Sequence, residues 1–392
     1  MPFHFTRWLF LTAFALILVG CKKSTMSDQT ASGELIVRIG AAAPLTGNQA
    51  HIGKDNESGT RMAIDDANAK GITIGGRKVH FELISEDDQA DPKTATIVAQ
   101  KLVDDKVNGV IGHLNSGTTI PAAKIYHDNG IVQISPSATA VNYTAQGFKS
   151  AFRVMANDAQ QGKILGEYAT RNLAAKKIAV IDDRTAYGQG LADEFIKAAQ
   201  ANGAQIVAHE YTNDKAVDFT AVLTAVKGKQ PDLLFYGGMD PQAGPMAKQL
   251  KALALNLKFV MGDGGYTPEF IKLAGTAAEG SYASLPGVPL DKMPGGKAFE
   301  TRFVAKYQPI QLYAPYCYDA VNVMIAAMQK ADSVDPQKYL PELAKTNLDG
   351  VTAKIQFDTK GDLKDGAVTL YQVQQGKWQS LQTMGVTTPA AN

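Results

Sequence analysis

Ser116, Thr118 and Thr119 stand together in a short loop, GHLNSGTT (residues 112–119), after the apolar pair Val110-Ile111 and before the helical pattern PAAKIYHDNG. Free backbone amides and the macrodipole at a helix start favour an anion, and nearby hydroxyls add donors. Ser135, Ser137 and Thr139 form a second hydroxyl cluster in SPSATA (135–140), at the end of another apolar run. Later apolar runs end in carboxylates and aromatics instead: Asp182, Asp183 and Tyr187 in DDRTAYGQG, then Asp263 and Tyr266 in GDGGY. One set suits a carboxylate and the other an ammonium, so together they suit a free amino acid. Taken singly, each has a plainer reading: Ser and Thr at a helix start act as N-caps, and Asp at a strand end closes turns.

Other chemistry finds little support. No GxxxxGK followed by Ser or Thr exists, and GQG at 188–190 lacks the third glycine of a dinucleotide loop. The six histidines form neither HExxH nor a nucleophile motif, and His113, beside the first loop, reads as structural. DTKGDLKDG (358–366) looks like a calcium loop but has Leu363 where the sixth position needs glycine, so it reads as a hairpin turn. Cys317, in the apolar pattern LYAPYCYDAVNVMIAAM, reads as a small buried hydrophobe without zinc or catalytic partners. No cofactor, no metal and no enzymatic activity are expected.

The elements that must position these groups follow from hydrophobic period. LIVRIGAAA, VHFELISED, VNGVIG and IVQIS read as strands, with helices from about Glu57 to Lys70, from Asp91-Pro92 to about Asp105, and over PAAKIYHDNG. Asp91 before Pro92 is a helix start, with Asp as cap and Pro at the first helical position. The style then repeats: helix over 158–172, strand KKIAVIDD, helix GLADEFIKAAQANG, and strands QIVAHEYT, PDLLFYGG and LKFVMGDGG with helices between. Short buried strands alternating with helices predict an α/β chain with parallel sheets covered on both faces, here two doubly wound lobes. Ligands bind such sheets at the carboxyl ends of the strands, where the polar loops above fall. A long apolar helix over 312–330 and an antiparallel-looking tail follow, expected to pass between the lobes.

The chain has 392 residues, 45% hydrophobic and 20% charged, with net charge +1. That length implies two domains, and the charge balance gives no attraction to nucleic acid or anionic membrane. Arg7 followed by the apolar run Trp8–Val19 reads as a signal-peptide core, too short for a typical transmembrane helix. It ends LVGC, which resembles a lipobox with Cys21 as the lipidated residue; the alternative is a plain signal peptide. The expected divisions are a leader over 1–20, a flexible tether over 21–34, a first lobe over 35–157 and a second over 158–284. A return to the first lobe over 285–366 and a crossover with a second-lobe segment over 367–392 complete the chain.

From about Leu35 to Gly366 the sequence resembles the branched-chain amino acid (Leu/Ile/Val) binding proteins of bacterial ABC transporters. VIGHLNSGTTIPAAKIYHDNGI, SPSATA, DDRTAYGQGLA, DFTAVLTAVK, PDLLFYGG and FDTKGDLKDG carry the resemblance. It implies a type I periplasmic-binding-protein fold, in which two Rossmann-like lobes joined by three crossovers close on a ligand. It also implies that Ser116 and Thr139 hold the ligand carboxylate and the Ser137 carbonyl helps hold the ammonium. Tyr187 then closes over the ligand, and Asp263 pairs with the ammonium. The pattern around Asp263 is GDGG rather than the family's glycine, proline, glutamate, glycine, so the acid has a shorter reach. Ile52 and Met239 stand where well-known members carry aromatics in the side-chain pocket, which stays apolar with a changed shape. A disulfide known in some members is absent, since Ala90 and Asn115 stand near its positions. The implied partners are a small amino acid and an ABC permease. The membrane is reached only through a lipid anchor, in the periplasm or at the cell surface, and the protein is expected to be a monomer. Two other readings share the fold: an amide, urea or aromatic acid as ligand, or a sensory lipoprotein that feeds no transporter.

Overall fold

Runs of Val, Ile, Leu and Phe too short for helices alternate with amphipathic segments, and the computed structural model, which describes Met1 and residues 28–385, arranges them as two layered lobes. The leader, Cys21 and the first half of the segment read as a tether lie outside the described residues. Residues 28–34 fold back on the start of the first strand, with Gln29 bridging Leu35.

The first lobe holds β1 (Leu35–Ala43), α1 (Ala50–Lys70), β2 (Thr73–Ile74), β3 (Arg77–Asp87), α2 (Pro92–Asp104), β4 (Gly109–Gly112), α3 (Ser116–Asp128), β5 (Gln133–Ser135), α4 (Asn142–Ala145) and β6 (Ala151–Arg153). Its sheet runs β2-β3-β1-β4-β5-β6 and is parallel except for β2. The second lobe begins with α5 (Asp158–Arg171), β7 (Lys177–Asp182), α6 (Ala186–Ala201), β8 (Gln205–Tyr211), α7 (Thr220–Gly228), β9 (Leu233–Gly237), α8 (Asp240–Ala252), β10 (Lys258–Met261), α9 (Pro268–Ala274) and β11 (Tyr282–Pro286). The chain then returns through α10 (Gly296–Val304), α11 (Ala314–Lys330), α12 (Pro336–Leu343), β12 (Asn347–Asp349) and β13 (Lys354–Gln356), and ends in β14 (Val368–Gln374) and β15 (Lys377–Met384). The second sheet runs β15-β14-β11-β10-β9-β7-β8, with β14 and β15 antiparallel at one edge. Both lobes share one doubly wound order, as the alternation of elements predicts, and three connections join them: 154–157, the segment after β11, and 357–367.

Alternation along the strands explains the layering, because successive side chains point to opposite faces. In β7, Ile178 and Val180 pack with Leu165, Leu191 and Phe195 of α5 and α6. Ala179 and Ile181 face Leu223, Ala243 and Phe270 of α7, α8 and α9. The first sheet packs on α2 and α3 through Val110, Leu102 and Tyr126 on one face, and on α1 and α11 on the other. The last of these helices comes from beyond the second lobe, so the first core is closed by a distant part of the chain.

Helix α1 begins at Ala50, earlier than the apolar period suggests. Its first turns carry constraints instead of core residues. A Cβ on Gly53 would lie 1.9 Å from the Pro44 carbonyl oxygen. Asp55 is buried and accepts the amides of Gln311, Leu312, Tyr313 and Ala314 at 2.8–3.1 Å.

Candidate functional site

In each lobe the chain leaves adjacent central strands in opposite directions, β1 and β4 in the first and β7 and β9 in the second, and this opens a crevice at their carboxyl ends. The β4 crevice leads straight into α3 at Ser116. Asn115 occupies the N-cap position without capping, because its Nδ2 donates to Gln49 Oε1 at 2.7 Å. The helix therefore presents its N-terminus to the crevice without a side-chain cap. Ser116 Oγ accepts from the Ala140 amide at 3.1 Å, tying this helix start to the SPSATA loop. Thr118 and Thr119 instead turn their hydroxyls back to the Asn115 carbonyl at 2.9 and 2.8 Å, a local helix role. Ser137 Oγ donates to the Leu114 carbonyl at 3.0 Å, and Ser135 Oγ to the His113 carbonyl at 3.1 Å. Thr139 differs from all of them: its hydroxyl is fully buried and has no hydrogen-bond partner among the described residues.

Across the crevice, Asp263 is buried and surrounded by donors. Tyr187 OH reaches Oδ1 at 2.8 Å, Gln161 Nε2 reaches the same oxygen at 2.9 Å, and Tyr313 OH reaches Oδ2 at 2.6 Å. The Gly264 amide donates to Tyr187 OH at 2.9 Å, so this phenol is oriented from both sides. Gln161 is fixed in turn, since Ser284 Oγ donates to its Oε1 at 2.6 Å. Burial raises the Asp263 carboxyl above the usual carboxylate range against these donors. Tyr313 stands at the N-cap of α11, held there by Asp55, and so brings a first-lobe hydroxyl onto a second-lobe carboxylate.

A second acid sharpens the site. Asp158, the first residue of α5, is fully buried, and its carboxyl is raised to about 8 by burial and then by the neighbouring Asp263 charge. Its amide donates to the Thr139 carbonyl at 2.8 Å, and its Oδ2 has no hydrogen-bond partner among the described residues. Thr139 Oγ1 lies close enough to favour the ionised carboxyl but closes no hydrogen bond with it. Asp158 thus lies beside both the Asp263 carboxyl and the Thr139 hydroxyl, and neither Asp158 Oδ2 nor Thr139 Oγ1 has a hydrogen-bond partner among the described residues. Burial favours the neutral carboxyls, and a cation with several N–H donors seated beside them would favour the ionised forms instead.

Asp158, Gln161 and Tyr313 do not figure among the strand-end candidates, because each sits at or near a helix start after a connection between lobes. Their signals are local: Asn157 and Gln160 form a capping box directly around Asp158, and Tyr313 precedes an Ala-Pro helix start. Other strand-end residues prove structural. Asp182 pairs with His209 at 2.8 Å, Tyr266 stacks among Tyr371 and Trp378, and Asp183 caps its own turn through Thr185. His113 is locked between Asp88 and Tyr126. Ile52 and Met239 are both buried, and each adjoins a member of a cross-lobe pair, His51 Nε2 to Asp240 Oδ2 at 2.7 Å. Met239 also reaches the site, since a Cβ on Gly264 would lie 2.7 Å from its Sδ. A hollow of about 460 Å³ lies elsewhere, walled by Met155, Val288 and Leu363 of the three connections, behind the hinge and away from these groups. Among the described residues, no group of three or more His, Cys, Asp or Glu could hold a metal ion, and no helix is long and apolar enough to cross a membrane.

The sequence profile of the periplasmic binding protein family matches residues 36–377. The chain belongs to the periplasmic binding protein family. This is a family of binding proteins rather than enzymes. The chain is 34% identical over 359 residues to the leucine-, isoleucine-, valine-, threonine- and alanine-binding protein of Pseudomonas aeruginosa, covering 91% of this chain and 94% of that one. Its fold is similar to a leucine-binding protein from Thermotoga maritima, with a TM-score of 0.82 and 27% identity, covering 89% of this chain and 98% of that one. It is also similar to the branched-chain amino acid transporter substrate-binding protein of Streptococcus pneumoniae in complex with isoleucine, with a TM-score of 0.80 and 28% identity, covering 89% and 99%. As a periplasmic binding protein, the chain has its buried polar cluster in the crevice between lobes, the place where a doubly wound pair can enclose a solute.

Proposed function

We propose that this protein captures a free amino acid of the Leu/Ile/Val class between its lobes and hands it to the permease of an ABC transporter. One observation carries the reading. Asp158 Oδ2 and Thr139 Oγ1 are buried next to each other and close no hydrogen bond among the described residues, with Asp263 beside Asp158 and the uncapped start of α3 across the crevice. Cation-seeking and anion-seeking groups facing one crevice fit an α-amino acid. In this reading Ser116 and the α3 amides take the carboxylate, while Thr139, which the resemblance places on the carboxylate, shifts to the ammonium side because its hydroxyl lies beside Asp158, and joins the Ser137 carbonyl, Asp158 and Asp263 there. Tyr187 closes over the ligand, and Ile52 and Met239 receive an apolar side chain. The relatives' names support this ligand class. Each buried methylene contributes about 0.8 kcal/mol, so leucine should outrank alanine clearly and valine only modestly. The lipid anchor at Cys21 completes the proposal and holds the receptor at a membrane facing the periplasm or cell surface.

The test is a calorimetric panel on the purified protein after removal of co-purified ligand. It covers the common L-amino acids, small amides, urea and benzoate. Saturable binding of Leu, Ile and Val that is lost in Ser116→Ala supports the assignment. Binding confined to a ligand without an ammonium would overturn it.

A further inference from the structure

The turn DTKGDLKDG is one sequence feature that ligand contact leaves unused. It lies in the third connection between lobes and closes by a bridge from Phe357 to Leu363. Asp358 Oδ1 accepts the amides of Lys360 and Asp362 at 2.8 and 3.0 Å, which fixes the turn from within. Gly361, at φ +94°, brings the turn against β6: a Cβ there would lie 2.1 Å from the Ala151 carbonyl oxygen, and the Arg153 amide donates to the Gly361 carbonyl at 2.9 Å. This docking delivers one carboxylate, Asp362, to two places at once.

Asp362 Oδ1 accepts from Arg153 Nε at 2.6 Å and from Thr144 Oγ1 at 3.0 Å. Arg153 is fully buried, and its Nη1 donates to the carbonyls of Ala138 and Ala140 at 2.8 and 2.9 Å, one on each side of Thr139. A planar guanidinium spends its donors in a fixed fork, so it sets both carbonyls relative to the carboxylate that orients it. Asp362 Oδ2 meanwhile accepts from Asn157 Nδ2 at 3.2 Å, and Asn157 caps α5 through its Oδ1 to the Gln160 amide. The next residues of α5 include Asp158 and Gln161.

We propose that Asp362 is a positioning residue for the cleft. Through Arg153 it holds the loop that carries Thr139, and through Asn157 it holds the helix start that carries Asp158, thereby setting the spacing of the groups that receive the ligand ammonium. The last clause rests on the function proposed above; the positioning itself does not.

Asp362→Asn is nearly isosteric and separates the two links. Its amide has one acceptor oxygen, which can serve Arg153, but its NH₂ would then face the Asn157 NH₂, donor against donor. The expected result is at least tenfold weaker binding of leucine, or of whichever panel ligand the wild type binds. The effect should shrink to under threefold in an Asp158→Asn background, because the broken link runs through Asn157 to Asp158 and coupled residues are non-additive. Asn157→Ser keeps a capping oxygen but gives up the amide donor to Asp362, and should weaken binding in the same way. It also serves if the first variant does not fold. Hydrogen exchange on the ligand-free proteins gives a readout independent of the ligand. The amides of Asp158 and Gln160 should exchange at least tenfold faster in Asp362→Asn, with Ala138, Ala140, β7 and β9 unchanged, and in Asp362→Ala, which loses both links, Ala138 and Ala140 should follow. Loss of all ligand binding in the wild type would refute the proposed function and leave the exchange experiment to decide the positioning role. Unchanged exchange at Asp158 and Gln160 in Asp362→Asn, unchanged exchange at Ala138 and Ala140 in Asp362→Ala, a loss of protection spread over the whole chain, or an undiminished affinity effect in the Asp158→Asn background would overturn the positioning role.

Discussion

Replacing Asp263 by Asn isolates the charge in the cleft from its hydrogen bonds. The Asn oxygen can occupy the Oδ1 position, where Tyr187 and Gln161 donate, and its NH₂ then faces Tyr313 OH, which can accept as readily as donate. The polar network therefore survives, while an incoming ammonium loses one of two carboxylates. Truncating one partner of a buried charge pair costs about 2–5 kcal/mol, and Asp158 beside it keeps the loss at the lower end, about 2–3 kcal/mol. That corresponds to a Kd for leucine raised ~30- to 150-fold at pH 7, read by calorimetry. Stability should move the other way. Burial raises the folded-state Asp263 carboxyl, so ionising it above its ordinary value near 4 destabilises the wild type, and the loss is complete once pH exceeds the raised value. Asp263→Asn should melt at or above the wild-type temperature at pH 7, with the gap closing near pH 4. An affinity within threefold of wild type, or a melting temperature that falls with the affinity, would refute the idea that this residue serves the ligand rather than the fold.

Two further outcomes follow from the same geometry. Tyr313→Phe removes the first-lobe donor to Asp263 Oδ2 and should weaken leucine binding by about 1–2 kcal/mol, roughly 5- to 30-fold, with unchanged circular dichroism; a Kd within twofold would sink it. For His51, burial lowers the imidazole, but its hydrogen bond and charge contact with Asp240, joined by the Glu269 charge, raise it overall. The stabilisation of the closed form by protonated His51 is thus fully present below about 6.5 and is lost as pH rises through the raised value. Leucine titrations from pH 6 to 9 should show a wild-type advantage over His51→Gln that fades toward pH 9, whereas a ratio flat with pH would show that the pair carries no proton linkage.

Much of this architecture is legible in the residues. Strand–helix alternation predicts two doubly wound lobes, and the polar loops at the ends of buried strands point to the crevice that the fold opens. The period misleads where residues serve contacts instead of the core. In α1, Asp55 is buried yet faces the amides of 311–314, and Gly53 faces Pro44, so the first two turns show no apolar stripe. The site is legible only in part for a similar reason. Asp158 and Tyr313 gain their meaning from burial and from partners 105 and 50 residues away in the chain, namely Asp263 in both cases. Asp182 and Tyr266 have the right types at the right strand ends, but His209 and the Tyr371–Trp378 cluster claim them. Residue type and location mark candidates; which of them remain available is decided by neighbours that no local window contains.

The passage of α11 into the first core bears on how the protein is made. When residues 35–153 have left the ribosome, the sheet β1–β6 is complete, but the face that Ala314–Lys330 will cover still lies bare, with Ile39, Ile111 and Ile134 among its apolar residues. The second lobe likewise waits for β14 and β15 to complete its sheet edge. Neither half can finish by itself during synthesis, so stable structure arrives late and nearly all at once. A nascent chain of this design carries an open hydrophobic flank for some 160 residues (~8–32 s at 5–20 residues per second), which makes the detached first lobe prone to aggregate.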